Sequence, residues 1–331
     1  MKIIFRADGN SNIGLGHLFR LFALVEIYKD VYDYVFITKE SSSLNVFPSK
    51  CNLRLIPESI DIQSESNWLF EQYSPEEYIV IADGYHFDSN YQKTIKDKNY
   101  FLMYIDDLAT EYMYADIVIN HSPFIKEKDF KSEAYTRFAL GTDYAMLRSS
   151  FLEIAKEDRE IKTIETAFVC FGGADFYDLT YKAVRALLCF EQFKRINVVL
   201  GGAYKHTKIL ELQDDRLEMY RNLGEMELLN LMISSNFAIA PTSTIFFELC
   251  CVKMPILGGY YVDNQKKLSE FFMKQKLMFQ TEELNLENIN FKKELERCLL
   301  LDFDEMIIEQ KRLFDRQQKN NLMKLISFAG R

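Results

Sequence analysis

Short apolar runs alternate with longer amphipathic or charged stretches along the whole chain. In the first half the runs read KIIFRA (Lys2 to Ala7), YVFIT, LRLIP, YIVIADG, YFLMYIDD and DIVINHS. Runs of this length with helix-like segments between them predict parallel strands joined by crossover helices. The first helix is expected over Leu18 to Lys29. A mostly charged segment, Arg148 to Glu165, then breaks the alternation and reads as a connection between domains. The pattern restarts with TAFVCFGGAD and continues through INVVLGGAY, LEMYRNLG, FAIAP and MPILGGYY, with helices such as Leu179 to Phe190 and Met226 to Ser235 in between. The last segment, Phe303 to Ser327, carries Met306, Ile307, Leu313, Phe314, Leu322 and Leu325 at roughly helical spacing around a polar middle, which predicts one long terminal helix. The fold class expected is therefore α/β, with two Rossmann-like domains of mostly parallel strands, 1–150 and 151–331, a cleft between them, and a terminal helix that is counted with the second domain and crosses back. No repeat of 20 to 50 residues is visible.

Composition narrows the partners. Forty basic against forty-nine acidic residues give a net charge of −9 with no Lys/Arg-rich run, which argues against nucleic acid or an anionic membrane. Neither a leader peptide nor a membrane-spanning run is seen, so a cytoplasmic protein is expected. The six cysteines (Cys51, Cys170, Cys189, Cys250, Cys251, Cys298) match neither a zinc spacing nor a disulfide framework and read as reduced, mostly buried thiols.

Candidate chemistry lies where strands run into helices, because helix N-termini point free N–H groups into the carboxyl edge of a parallel sheet. GNSNIGLGHLFR places Gly14, Gly16, His17 and Arg20 at the first such turn. Its spacing is neither the dinucleotide fingerprint nor a phosphate loop. At the positive end of a helix the neutral, proton-accepting imidazole is favoured, which suits a general base; the alternative is a first-turn histidine that only hydrogen-bonds a carbonyl. Asp83-Gly84-Tyr85-His86 ends a neighbouring strand, so Tyr85 can reach His17; alternatively Asp83 caps the helix from Asp88 and Tyr85 packs. His86 and His121 are given no role. Asp106-Asp107 could hold a divalent cation, but strand-end aspartates more often fasten loops, and the structural reading is preferred.

In the second half, Phe171-Gly172-Gly173-Ala174-Asp175 would let backbone approach a diphosphate. Thr242-Ser243-Thr244 opens a helix expected over Ile245 to Val252 and offers hydroxyls and free amides to an anion. Glu248 either accepts from ribose hydroxyls or is a solvated glutamate near a helix start. Asn264 and Gln265, after GGYYVD, suit sugar hydroxyls or a phosphate, unless Asp263 is simply a cap.

Taken together and in order, FRADGNSNIGLGHLFR, IADGY, YIDDLA, GTDYAMLR, FGGAD, TSTIFFE and VDNQ resemble the UDP-sugar hydrolase family of pseudaminic acid biosynthesis, a nonulosonic acid pathway. The resemblance runs from Ile3 to about Leu268. It implies the two-domain GT-B architecture and an inverting replacement of UDP by water at the anomeric carbon of a UDP-linked 2,4-diacetamido-2,4,6-trideoxyhexose. It implies His17 as base and places Tyr85 and Asn264 at other catalytic positions. Substrate and UDP contacts are then expected from Gly14, Gly16, Arg20, Gly172, Gly173, Thr242, Ser243, Thr244, Glu248 and Gln265. No metal and no cofactor are expected. UDP leaves as a stabilised anion, its terminal phosphate having a pKa of about 6, so the paired carboxylates of ordinary glycosidases are not required. Leu21, Gly84, Pro241 and Phe247 depart from the family's residues at positions that wall a pocket. The readings left open beside hydrolysis are a GT-B glycosyltransferase and a non-catalytic nucleotide-sugar-binding protein.

Overall fold

The computed structural model describes residues 1–10, 13–314 and 317–330. Two units emerge: Met1–Ser149 joined by the chain from Gln317 onward, and a second that begins at Ser150. Both are α/β with parallel sheets.

In the first unit β1 (Lys2–Ala7), β2 (Tyr34–Lys39), β3 (Leu53–Ile56), β4 (Tyr78–Asp83), β5 (Phe101–Ile105), β7 (Ile117–Asn120) and β9 (Arg137–Leu140) form a seven-stranded sheet in the order β3-β2-β1-β4-β5-β7-β9, while β6 (Tyr112–Met113) and β8 (Lys131–Ser132) pair beside it. Every pairing is parallel. Helices α1 (Gly16–Tyr28), α2 (Glu65–Gln72) and α3 (Ser89–Asp97) connect the strands. The continuous apolar runs are explained by burial on both faces: β1 and β4 are buried at every position but their first, and β7 throughout. Strand β9, RFAL, goes unnoticed in the sequence because it is short, opens on an exposed arginine and sits at the sheet edge.

The second unit holds α4 (Ser149–Ile154, starting at the boundary), β10 (Thr166–Cys170), α5 (Leu179–Leu187), β11 (Arg195–Leu200), β12 (Leu217–Arg221), α6 (Glu225–Ile233), β13 (Phe237–Pro241), α7 (Thr244–Cys251), β14 (Ile256–Gly259), α8 (Asp263–Lys274), α9 (Phe291–Cys298) and α10 (Asp304–Leu313). Its sheet order is β12-β11-β10-β13-β14, all parallel. The charged stretch after Arg148 is more than a connection. Arg159 donates to the carbonyls of Val252 (3.0 Å), Ile233 (2.8 Å) and Ser235 at the ends of α7 and α6, where helix C-termini hold partial negative charge.

The expected single terminal helix is two. Helix α10 ends at Leu313, with Phe314 already out of helical geometry (φ −119°, ψ 76°), and α11 (Gln318–Leu325) follows; Asp315 and Arg316 lie outside the described residues. Met306 of α10 enters the second unit's core, whereas α11 belongs to the first, where the hydroxyl of Tyr28 on α1 donates to the carbonyl of Leu322 at 2.6 Å. Helix α10 runs into the buried Phe314, whose ring meets that of Phe247 with centroids 6.0 Å apart. Four of the six free cysteines are buried. Among the described residues no helix is long and apolar enough to cross a membrane.

Candidate active site

Register brings the carboxyl ends of the first sheet's central strands into one row, with Ala7 beside Asp83, Asp83 beside Ile105 and Ile105 beside Ile119. The chain winds outward from β1 through β2 and β3, then returns to place β4 on the other side of β1. Loops that leave β1 and β4 therefore diverge, which is where open α/β sheets bind ligands. Gly14 has φ +84°, open to glycine and costly to other residues, and its amide closes on the carbonyl of Asn10 at 2.9 Å. Ser11 and Asn12 of the same motif lie outside the described residues. Gly16 opens α1, two residues earlier than the periodicity indicated.

His17, on the first turn of α1, is buried, and its Nδ1 lies 2.7 Å from Oδ1 of the fully buried Asp83. Arg20, one turn on, shares that face. It gives Nε to Asp83 Oδ2 (2.8 Å), Nη2 to Asp83 Oδ1 (2.7 Å), and Nη1 and Nη2 to Asp107 (2.5 and 2.9 Å). Arg20 Nη2 also lies 3.0 Å from His17 Nδ1. A carboxylate only accepts, so the shorter contact requires a proton on Nδ1, and the Arg20 approach is then not a hydrogen bond. That tautomer leaves the lone pair on Nε2, which bonds no described residue. Asp83 is not the cap of the following helix; Asp88 is, accepting from the Tyr91 amide at 2.9 Å. Arg20, expected to touch substrate, instead commits four of its five N–H groups to carboxylates.

Tyr85 is half exposed and stands edge-on to His17, ring centroids 4.8 Å apart, while its hydroxyl donates to Asp107 Oδ2 at 3.2 Å. Burial and the Asp107 charge push its pKa up to about 12, so it serves as a neutral hydroxyl. Burial would raise Asp107, but the Arg20 charge and hydrogen bonds prevail and hold it at about 2. Burial and Arg20 together push His121 down to about 4, a neutral imidazole at neutral pH. Asp106 has the fastening role: its carboxylate accepts from the Ala109 amide (2.8 Å) and Asn120 Nδ2 (2.9 Å). The aspartate pair thus divides into one loop fastener and one partner of Arg20.

The second unit has its own switch point between β10 and β13. Gly172 has φ +79° and Gly173 is exposed, whereas the N-terminus of α5 is already occupied: Asp175 accepts from the amides of Leu179 and Thr180, both at 2.8 Å. Thr242 is not available to a ligand. It is fully buried, and its hydroxyl contacts Ser269 and the Gly259 carbonyl (3.1 Å), tying β13 to β14 and α8. Ser243, the N-cap of α7, makes no side-chain cap bond, and Thr244 is exposed. Glu248 is 4% exposed, so it is not the solvated glutamate considered as an alternative. Asn264 is exposed on the first turn of α8, and Gln265 Oε1 accepts from the Tyr261 amide at 3.3 Å. Asp263 is the first helical residue; the cap is Val262.

Sequence reasoning missed Asp83 and Asp107 as partners of His17 and Arg20. The usable signal was an aspartate at the end of each of two adjacent predicted strands, opposite a histidine and arginine three apart on one helix.

No known protein-family profile matches the chain. It is 26% identical over 293 residues to the uncharacterized protein MJ1062 of Methanocaldococcus jannaschii, covering 83% of this chain and 59% of that protein, less than two thirds of its length. It is 25% identical over 284 residues to UDP-2,4-diacetamido-2,4,6-trideoxy-beta-L-altropyranose hydrolase of Campylobacter jejuni (83% of this chain, 97% of the other). With the spore coat polysaccharide biosynthesis protein SpsG of Bacillus subtilis it shares 24% over 285 residues (83% and 82%). The chain is a homologue of these proteins. Among solved structures, Acinetobacter baumannii MurG superposes with a TM-score of 0.66 at 9% identity (100% of this chain, 99% of the other), and the spinosyn rhamnosyltransferase SpnG bound to spinosyn aglycone with 0.68 at 9% (99% and 100%). The homologue has the GT-B fold.

Proposed function

We propose that this homologue processes a nucleotide sugar and, specifically, that it hydrolyses a UDP-linked 2,4-diacetamido-2,4,6-trideoxyhexose with inversion, as a step of nonulosonic acid synthesis. The observation that carries the reading is the His17–Asp83 pair at the switch point of the first sheet, with Nδ1 fixed as donor and Nε2 left to accept a proton. An imidazole with both nitrogens engaged would have favoured a binding protein. In the proposed step water attacks the anomeric carbon, its proton passes to His17 Nε2, and the bond from that carbon to the β-phosphate oxygen breaks with the electron pair leaving on UDP. Asp83 holds the imidazole in this tautomer and stabilises its charged form. Tyr85 supplies a neutral hydroxyl beside it. His17 supplies the base, Gly172, Gly173, Ser243, Thr244, Asn264 and Gln265 are proposed to take up UDP and sugar, and no metal is invoked.

The test is release of UDP from a panel of UDP-sugars with no acceptor present. His17→Asn is expected to lower kcat by roughly 10²–10⁴-fold while UDP affinity, read by calorimetry, stays unchanged; an undiminished rate would remove His17 as base. The likeness to SpnG across nearly the whole chain favours glycosyl transfer as the second reading. Release of UDP that appears only when a second sugar or lipid acceptor is added would replace hydrolysis by transfer.

A further inference from the structure

The charges gathered around His17 are more than a base needs to be held in place. Asp83 at the end of β4 and Arg20 on α1 touch its Nδ1; Tyr85, after β4, stands against its ring; Asp107, after β5, binds both Arg20 and Tyr85; His121, after β7, completes the group as a neutral imidazole. A guanidinium 3.0 Å from an imidazole nitrogen opposes proton uptake. One carboxylate is enough to cancel that cation, yet two are present, both bonded to it. With His17 neutral the cluster carries one net negative charge, which a proton on His17 cancels.

We infer that Asp107 is a positioning residue for His17, acting through Arg20: it pins the guanidinium against Asp83 and supplies the extra negative charge that lets the imidazole accept a proton beside a cation. The inference rests on His17 as the proton acceptor. Asp107 is itself suited to a constant role, because Arg20 keeps it ionised at every pH above about 2. Its bond from Tyr85 makes the aromatic face of His17 part of the same construction.

The experiment is an NMR titration of the His17 imidazole in the full-length protein, with the resonance assigned by its absence in His17→Asn, so the readout does not depend on turnover. Asp107→Asn keeps the shape and removes the charge, and the His17 midpoint should fall by about one pH unit. Asp107→Glu should return it to within a few tenths of a unit. Arg20→Gln should move it the opposite way, upward. An unmoved midpoint in folded Asp107→Asn overturns the proposal; should that variant fail to fold, a midpoint that does not rise in Arg20→Gln overturns it instead. With a competent UDP-sugar, the acid limb of kcat/KM should shift down in Asp107→Asn by the same amount, whereas a merely structural role would lower kcat without moving the limb. Absence of UDP release by the unaltered enzyme would sink the hydrolase reading and leave the titration standing.

Discussion

Arg6 is wholly buried in the first unit although it sits on a central strand, and its partners show why such a charge is tolerated there. Its guanidinium binds Asp8 through two bonds (2.6 and 2.8 Å) and Glu65 through two more (2.7 and 2.9 Å), and lies 4.9 Å from the centre of the Phe87 ring. Asp8 also accepts from the Lys39 amide (2.7 Å), Thr38 Oγ1 (3.1 Å) and His86 Nε2 (3.0 Å), while Tyr91 donates to Glu65 at 2.8 Å. Burial alone would raise the Asp8 pKa, but Arg6 and these donors outweigh it and hold the carboxyl far below its usual range. A folded-state pKa depressed in this way contributes stability above the unfolded value, about 3.9, and that contribution disappears only in strong acid. Removing the cation strands two buried carboxylates. Arg6→Met should therefore cost about 3–5 kcal/mol in urea denaturation at neutral pH, and a loss below about 1 kcal/mol would show that the network is not what holds the end of β1. The ion pairs of this network were invisible to pattern reading, since Glu65 lies on a different element and only the fold brings it to Arg6.

At the scale of elements, the two strand-to-helix turns at the switch points were legible, because an apolar run followed by glycines and then a helical period has few other readings. What each turn does was only partly legible. The Gly172-Gly173 turn reads as a place where a ligand approaches backbone, yet part of its closeness is spent inside the protein: Gly201, at the end of β11, packs so tightly that a Cβ there would collide with the carbonyl oxygens of both glycines, and the Ala203 amide donates to Gly173 at 3.1 Å. Thr242 teaches the same lesson, its hydroxyl being consumed by β14 and α8. Such contacts depend on which strands become neighbours, which no local pattern encodes. The colliding atoms at Gly201 are backbone and cannot rotate away, so Gly201→Ala should destabilise the second unit by about 1–3 kcal/mol and, on the proposed function, weaken UDP binding in parallel. Denaturation and calorimetry on that one variant decide it; full stability would mean that the two turns separate at little cost.

For the whole molecule, two parallel α/β halves could be read from alternation, and a terminal helix crossing back was expected, but the break that divides this segment into two helices was not legible. A continuous helical period from Phe303 to Ser327 conceals that its first half feeds one core and its second half another. Helix α11 belongs to the first unit, where it buries Leu322 and Leu325, followed by the buried Ile326 just after it; it accepts the Tyr28 hydroxyl and gives Asn321 Nδ2 to the Asp143 carbonyl at 3.3 Å. Phe328 receives Arg137 of β9 at 4.3 Å from its ring centre. These contacts reach α1, the helix that carries His17, so the tail supports the candidate site without touching it. A chain ending at Phe314 would expose the surface that those three apolar side chains cover, each worth about 1.5–3 kcal/mol when fully buried, and would leave α1 packed on one side only. Hydrogen exchange should then show protection falling in α1 and β9, while β10, β11 and β13 keep theirs, and the proposed UDP release should fall with the loss at α1. Undiminished protection in α1 would mean that the first unit stands without its returning helix; equal losses in both sheets would mean that the two units do not unfold as separate bodies.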